Sequence, residues 1–147
     1  MRNALYRNIY ARLNRFCPEM LENPPRDFSL SHIGKQDPRV RTYAERVGGS
    51  LVKIGTDWPI NDEPACDPLF VVMFDNDRKI ARATAWTMEN LMFQLTNGGA
   101  IVERYGCTFD SEEPQSERNA NDFLYEWLGG VARERQGNPQ YFQRISN

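Results

Sequence analysis

At 147 residues, with 40% hydrophobic and 26% charged side chains, the chain has the size and balance of one globular domain, residues 1–147, which argues against a disordered or fibrous class. No apolar run approaches the roughly 20 residues of a membrane-spanning helix. The three cysteines, Cys17, Cys66 and Cys107, lie far apart without CxxC spacing, so free thiols and a cytoplasmic location without membrane attachment are expected.

Net charge is −2, but it is unevenly spread. Residues 1–56 hold ten Lys or Arg against five acids, and residues 57–147 hold eight against fifteen. Arg7, Arg12 and Arg15 interrupt any apolar stretch near the start, so the first residues do not read as a secretion signal. Four arginines without an acid in residues 1–18 resemble the composition of a transit peptide, but serine is absent there. A first helix of the domain is the better expectation.

That helix carries Leu5, Ile9, Leu13 and Phe16 on one stripe, flanked by Tyr6 and Tyr10, and Pro18 ends it. Residues 22–25 read as a turn, and 28–33 alternate like a short strand. Asp37-Pro38 reads as a cap and first helical residue. Val40, Tyr43, Ala44 and Val47 then follow helical spacing before a Gly48-Gly49 stop.

Leu51–Ile54 is a strand candidate, and residues 57–68, with three prolines and four acids, read as a loop. Leu69–Phe74 is apolar at every position, the pattern of a central strand covered on both sides. Asp75-Asn76-Asp77 turns the chain, and residues 79–86 return as the hairpin partner. On the returning strand Ala81, Ala83 and Ala85 share a face that a helix can approach closely. The other face, with Ile80, Arg82, Thr84 and Trp86, is expected to be partly exposed.

Residues 87–96 fit a helix through Met88, Leu91, Met92 and Leu95, or a strand through Leu91, Phe93 and Leu95. A further strand is expected over 100–105. Ser116 is the expected cap of a last helix with an apolar stripe of Ala120, Phe123, Leu124, Trp127, Leu128 and Val131. Gly129-Gly130 inside it costs about 2 kcal/mol relative to alanine, so a kink or an early end is expected there.

Few residues carry chemistry. His32 is the only histidine and no nucleophile elbow accompanies it, so strand packing is a better reading than catalysis. A zinc site would need scattered cysteines. Asp57, Asp62, Glu63 and Asp67 gather on one segment and suggest a hard-cation site for a metal-dependent hydrolase, although a solvated acidic loop explains them as well. Asp75-Asn76-Asp77 begins like a calcium loop but has Ile80 where glycine is required. No catalytic residue, metal or cofactor is assigned.

Two surfaces remain as candidates for binding. Arg7, Arg12 and Arg15, with Tyr6 and Tyr10, suit phosphate contact and base stacking, but a pI of about 5.5 argues against a nucleic-acid partner. Trp58, Trp86, Met88, Met92 and Phe93 exceed what one face of a small meander needs, and aromatic and methionine side chains mark interface cores. The fragments DPLFVVMFDNDRKIARATAW and NANDFLYEWL resemble the YqiB-like family of small bacterial proteins of unknown function, over residues 68–128. That resemblance implies a bacterial or mobile-element origin and carries no site residues.

The expected fold is α+β, a meander-like antiparallel sheet of four or five strands packed by N-terminal and C-terminal helices. The expected function is non-enzymatic: binding of another protein, or of a second copy as a homodimer, centred on Trp86, Met88, Met92 and Phe93. The alternatives are nucleic-acid binding through the arginine helix and hydrolysis at the 57–67 acids.

Overall fold

The apolar stripe near the start folds as expected, into helix α1 over Asn3–Phe16. Ile9, Leu13 and Phe16 are buried, and Tyr6 joins them fully. The Cys17 N–H still donates to Leu13 O at 2.8 Å, and Pro18 then opens a short 3-10 turn, Pro18–Leu21. This computed structural model describes residues 2–22, 29–33, 40–60, 63–87, 102–103 and 108–146.

Among the described residues seven strands follow: β1 Ser29–Ile33, β2 Arg41–Gly48, β3 Leu51–Ile60, β4 Glu63–Asp75, β5 Ile80–Thr87, β6 Val102–Glu103 and β7 Phe142–Ser146. They form one sheet in the order β6-β5-β4-β3-β2-β1-β7, antiparallel at every pairing. The class is α+β, with β1–β5 as the expected meander. The two-residue β6 and the C-terminal β7 extend it at the edges.

Two segments differ from expectation. The helix expected from Asp37-Pro38 to Val47 is strand β2 over its described part, residues 40–48. Its burial alternates, with Thr42, Ala44 and Arg46 inward and Arg41, Glu45 and Val47 outward. The inward arginine hid the period of two, and β-branched Val40, Thr42 and Val47 favour extended backbone. Gly48 and Gly49, at φ 131° and 46°, turn the chain into β3 instead of closing a helix, because either role needs the left-handed region.

The proline-rich loop expected over 57–68 is instead the far end of the β3–β4 hairpin, with Asp57 opposite Cys66 and Pro59 opposite Pro64. Pairing with β2 stops at Asp57 and pairing with β5 stops at Leu69. Beyond those points the described residues pair β3 and β4 only with each other, and a missing N–H breaks no outer ladder among them.

Asp75 Oδ1 accepts the N–H groups of Asp77 at 2.9 Å and Arg78 at 3.1 Å, and this turn leads into β5. A bulge follows, since Val71 pairs with Ala85 and Val72 with Ala83. Ile80, Arg82 and Thr84, expected to be partly exposed, are buried along with the alanines. The bulge and the helices behind it close off that edge of the sheet. Residues 88–99 lie outside the described residues. Of the strand expected over 100–105, the described part, Val102–Glu103, is strand β6.

Helix α2 spans Gln115–Gly137. It starts one residue before the expected cap Ser116, with extended Pro114 at the N-cap position. It also runs through Gly129-Gly130 unbroken. The reason lies on α1: a Cβ on Gly129 would stand 2.6 Å from Arg12 Nη1, so the bare backbone makes room for that guanidinium.

Both helices pack on one face of the sheet. Ile9, Leu13, Leu124 and Leu128 join Ala44, Val52, Ile54, Phe70, Val72, Ala81 and Ala83 in a continuous buried cluster. The alanines allow the close helix approach expected of them. Among the described residues no helix is long and apolar enough to cross a membrane.

Candidate interaction surface

Because side chains alternate along a strand, the residues between the buried ones define the face turned away from the helices. On β2 these are Tyr43, Glu45 and Val47; on β3, Leu51 and Lys53; on β4, Leu69, Val71 and Met73. The register places Leu51 beside Met73, Lys53 between Glu45 and Val71, and Gly55 between Tyr43 and Leu69. The Tyr43 phenol lies over Gly55, with its Oη 3.2 Å from where a Cβ would be. The result is a surface of half-buried apolar side chains around a Glu45–Lys53 pair, ending at Val47, which is 45% exposed. Glu45 and Lys53 thus lie within the surface, with Leu51 and Met73 on one side of them and Tyr43 and Leu69 on the other, so a partner docking here meets apolar area and charge together.

The arginine helix divides its charges. Arg12 turns inward, donating from Nη1 to Tyr125 O at 2.6 Å and lying over the Tyr125 ring at 3.5 Å. Arg15 contacts Gln136 Oε1 at 3.4 Å, and Arg7 is exposed. The tyrosines expected to flank them are engaged elsewhere: the Tyr6 hydroxyl donates to Glu113, and that of Tyr10 to Asn76 Oδ1 at 2.8 Å. Burial and the neighbouring carboxylate push the Tyr6 pKa up.

Trp86 is half-buried, opposite Phe70 and Val102 in the ladder, and packs against the rim of the core. Met88, Met92 and Phe93 lie outside the described residues. Trp58, on the two-stranded end of the long hairpin, is 44% exposed.

A charged cluster that the sequence did not announce sits between β5 and the helices. Arg82, fully buried, pairs with Glu117. It donates as well to Thr108 O at 3.1 Å and Ser111 O at 3.3 Å, and lies 5.4 Å from the Tyr6 ring centre. One turn along α2, Asn121 Oδ1 accepts the Ala83 N–H at 2.7 Å and so covers the free edge of β5. Glu113 accepts from Tyr6 and from Arg2. Every buried charge here has a partner, as low dielectric demands, and the cluster locks β5 to both helices.

The residues weighed for catalysis are spread out. His32 sits in β1, its backbone paired with Thr42 and Phe142. Cys17 is buried, and burial raises its thiol pKa, which disfavours the nucleophilic thiolate. Asp57 is half-buried in β3, Glu63 and Asp67 belong to β4, and Asp62 lies outside the described residues. Among the described residues no three His, Cys, Asp or Glu converge to hold a metal.

At one end of the sheet the β2–β3 turn, the β4–β5 turn and the end of the 3-10 turn line an open cavity of about 430 Å³. Arg46 and Phe74 form part of its wall, and Glu22, Asp75 and Asp77 also line it. Set against protein-family models, curated proteins and solved structures, the chain matches none of them.

Proposed function

We propose that this chain is a non-enzymatic interaction protein that binds another protein, or a second copy of itself, on the face of the sheet turned away from its helices. One observation carries the reading. Among the described residues both helices cover the same face, while Leu51, Leu69 and Val71 on the other keep part of their surface in water beside exposed Val47. Apolar side chains on a hydrogen-bonded sheet suit docking, because a backbone already ordered by its ladder loses little entropy when the partner arrives.

The rival reading, phosphate contact through α1, rests on Arg7 and Arg15, since Arg12 is committed to α2. The two surfaces separate by mutation. Affinity purification from the native cell with the Val47→Lys/Leu51→Lys protein should lose the proteins that accompany the wild type. A chain with Arg7→Glu and Arg15→Glu should keep them. Retention of the same proteins by a folded Val47→Lys/Leu51→Lys variant would refute the assignment.

A further inference from the structure

Arg46 is 8% exposed, yet among the described residues no carboxylate pairs with it. Its Nε donates to Gly49 O at 2.8 Å and its Nη1 to Met20 O at 2.5 Å, while Nη2 shares the Gly49 carbonyl. Its guanidinium lies 4.6 Å from the centre of the Phe74 ring. All its partners are therefore neutral. Of the five N–H donors of a guanidinium, two are left over. A cation so placed loses hydration without gaining a counter-charge, and burial accordingly pulls its pKa down. Elsewhere in the molecule the buried arginine, Arg82, has its glutamate.

Arg46 also forms part of the wall of the cavity at the end of the sheet, whose volume of about 430 Å³ falls in the range of small-molecule sites, roughly 300–1,000 Å³. Phe74 and Phe109 supply apolar wall. The charge of the lining narrows the class of occupant. Among the described residues, Asp75 and Asp77 share the lining with the Arg46 guanidinium, so a plain anion such as phosphate meets two carboxylates for one cation. A plain cation meets Arg46. Asp75 is held by the turn N–H groups, which keeps its negative charge in place beside exposed Asp77. Opposite charges fixed in one cavity match a molecule that carries both.

We infer that this cavity binds a small zwitterion, a free α-amino acid, with its carboxylate on the Arg46 guanidinium and its ammonium beside Asp75 and Asp77. The site is separate from the protein-docking face: its walls are the turns at the end of the sheet.

Calorimetric titration of the full chain with the set of proteinogenic α-amino acids tests this. At least one should bind saturably. Its des-amino acid and its decarboxylated amine should each bind about tenfold more weakly or worse, the size of one lost charged hydrogen bond. Arg46→Gln should abolish binding and Asp77→Asn should weaken it about tenfold. Asp77 is exposed on the turn, so its variant answers even where Arg46→Gln fails to fold. Absence of saturable binding by every amino acid at millimolar concentration would overturn the inference. So would equal binding of the two analogues, or unchanged affinity in Asp77→Asn or in a folded Arg46→Gln.

Discussion

Arg82 stands at the middle of β5 between Ala81 and Ala83, a position that alternation assigns to solvent, yet among the described residues it is the largest fully buried side chain. Its acid lies 35 positions along the chain, on α2. No local pattern links the two, which is why the pair was not legible in the sequence. Arg46 escaped for a related reason: Val40, Tyr43, Ala44 and Val47 follow helical spacing, and Arg46 turns inward only because the segment is a strand. Removing one member of a buried ion pair strands the other, at a cost of about 3–5 kcal/mol, whereas replacing both with apolar groups of similar volume is often close to neutral. Arg82→Met alone should therefore lower the unfolding free energy in urea by that amount. Arg82→Met with Glu117→Leu should recover most of it. A double variant as unstable as the single one would contradict the role given to the pair.

At the scale of elements, the α1–α2 contact makes a sharp prediction about two adjacent glycines. Replacing glycine with alanine inside a helix ordinarily gains about 1 kcal/mol. Gly130 has open space around its missing Cβ, so Gly130→Ala should gain close to that full amount in urea unfolding. Gly129→Ala should gain nothing or lose, because the new methyl displaces Arg12 from Tyr125. In an Arg12→Ala background the gain at Gly129 should return, and equal gains at both sites in the wild type would refute the contact. The elements built on strong apolar periods were legible: α1, the hairpin around Leu69–Phe74 and the stripe of α2. Residues 40–48 were not, because Val40, Tyr43, Ala44 and Val47 satisfy helical spacing while the true alternation is interrupted by inward Arg46. Nor was the end of the β3–β4 hairpin, where the prolines of residues 57–68 mark a loop although Pro59 stands opposite Pro64 in the ladder. The room that Gly129 leaves is likewise taken by a guanidinium more than a hundred residues away in sequence.

On the scale of the whole molecule, the described residues form a seven-stranded antiparallel sheet with two helices on one side. The opposite side, between β2 and β4, is half-buried and apolar around a charged pair. The sequence anticipated an apolar surplus available for binding but placed it after β5, at Trp86 and Met88–Phe93. Of those residues Trp86 packs at the rim of the core, and the other apolar candidates emerge from alternation along β2, β3 and β4. That face could be recognised only after β2 was known to be a strand. The central claim, that this surface is where the protein binds its partner, is tested most directly by the dissociation constant of the wild-type complex beside that of the Val47→Lys/Leu51→Lys variant. Circular dichroism and urea unfolding should verify that the variant is folded. Two charges at an apolar interface centre should weaken binding by about tenfold or more, with Arg7→Glu/Arg15→Glu left at the wild-type value; an unchanged constant in the face variant, with loss in the arginine variant, would contradict the account.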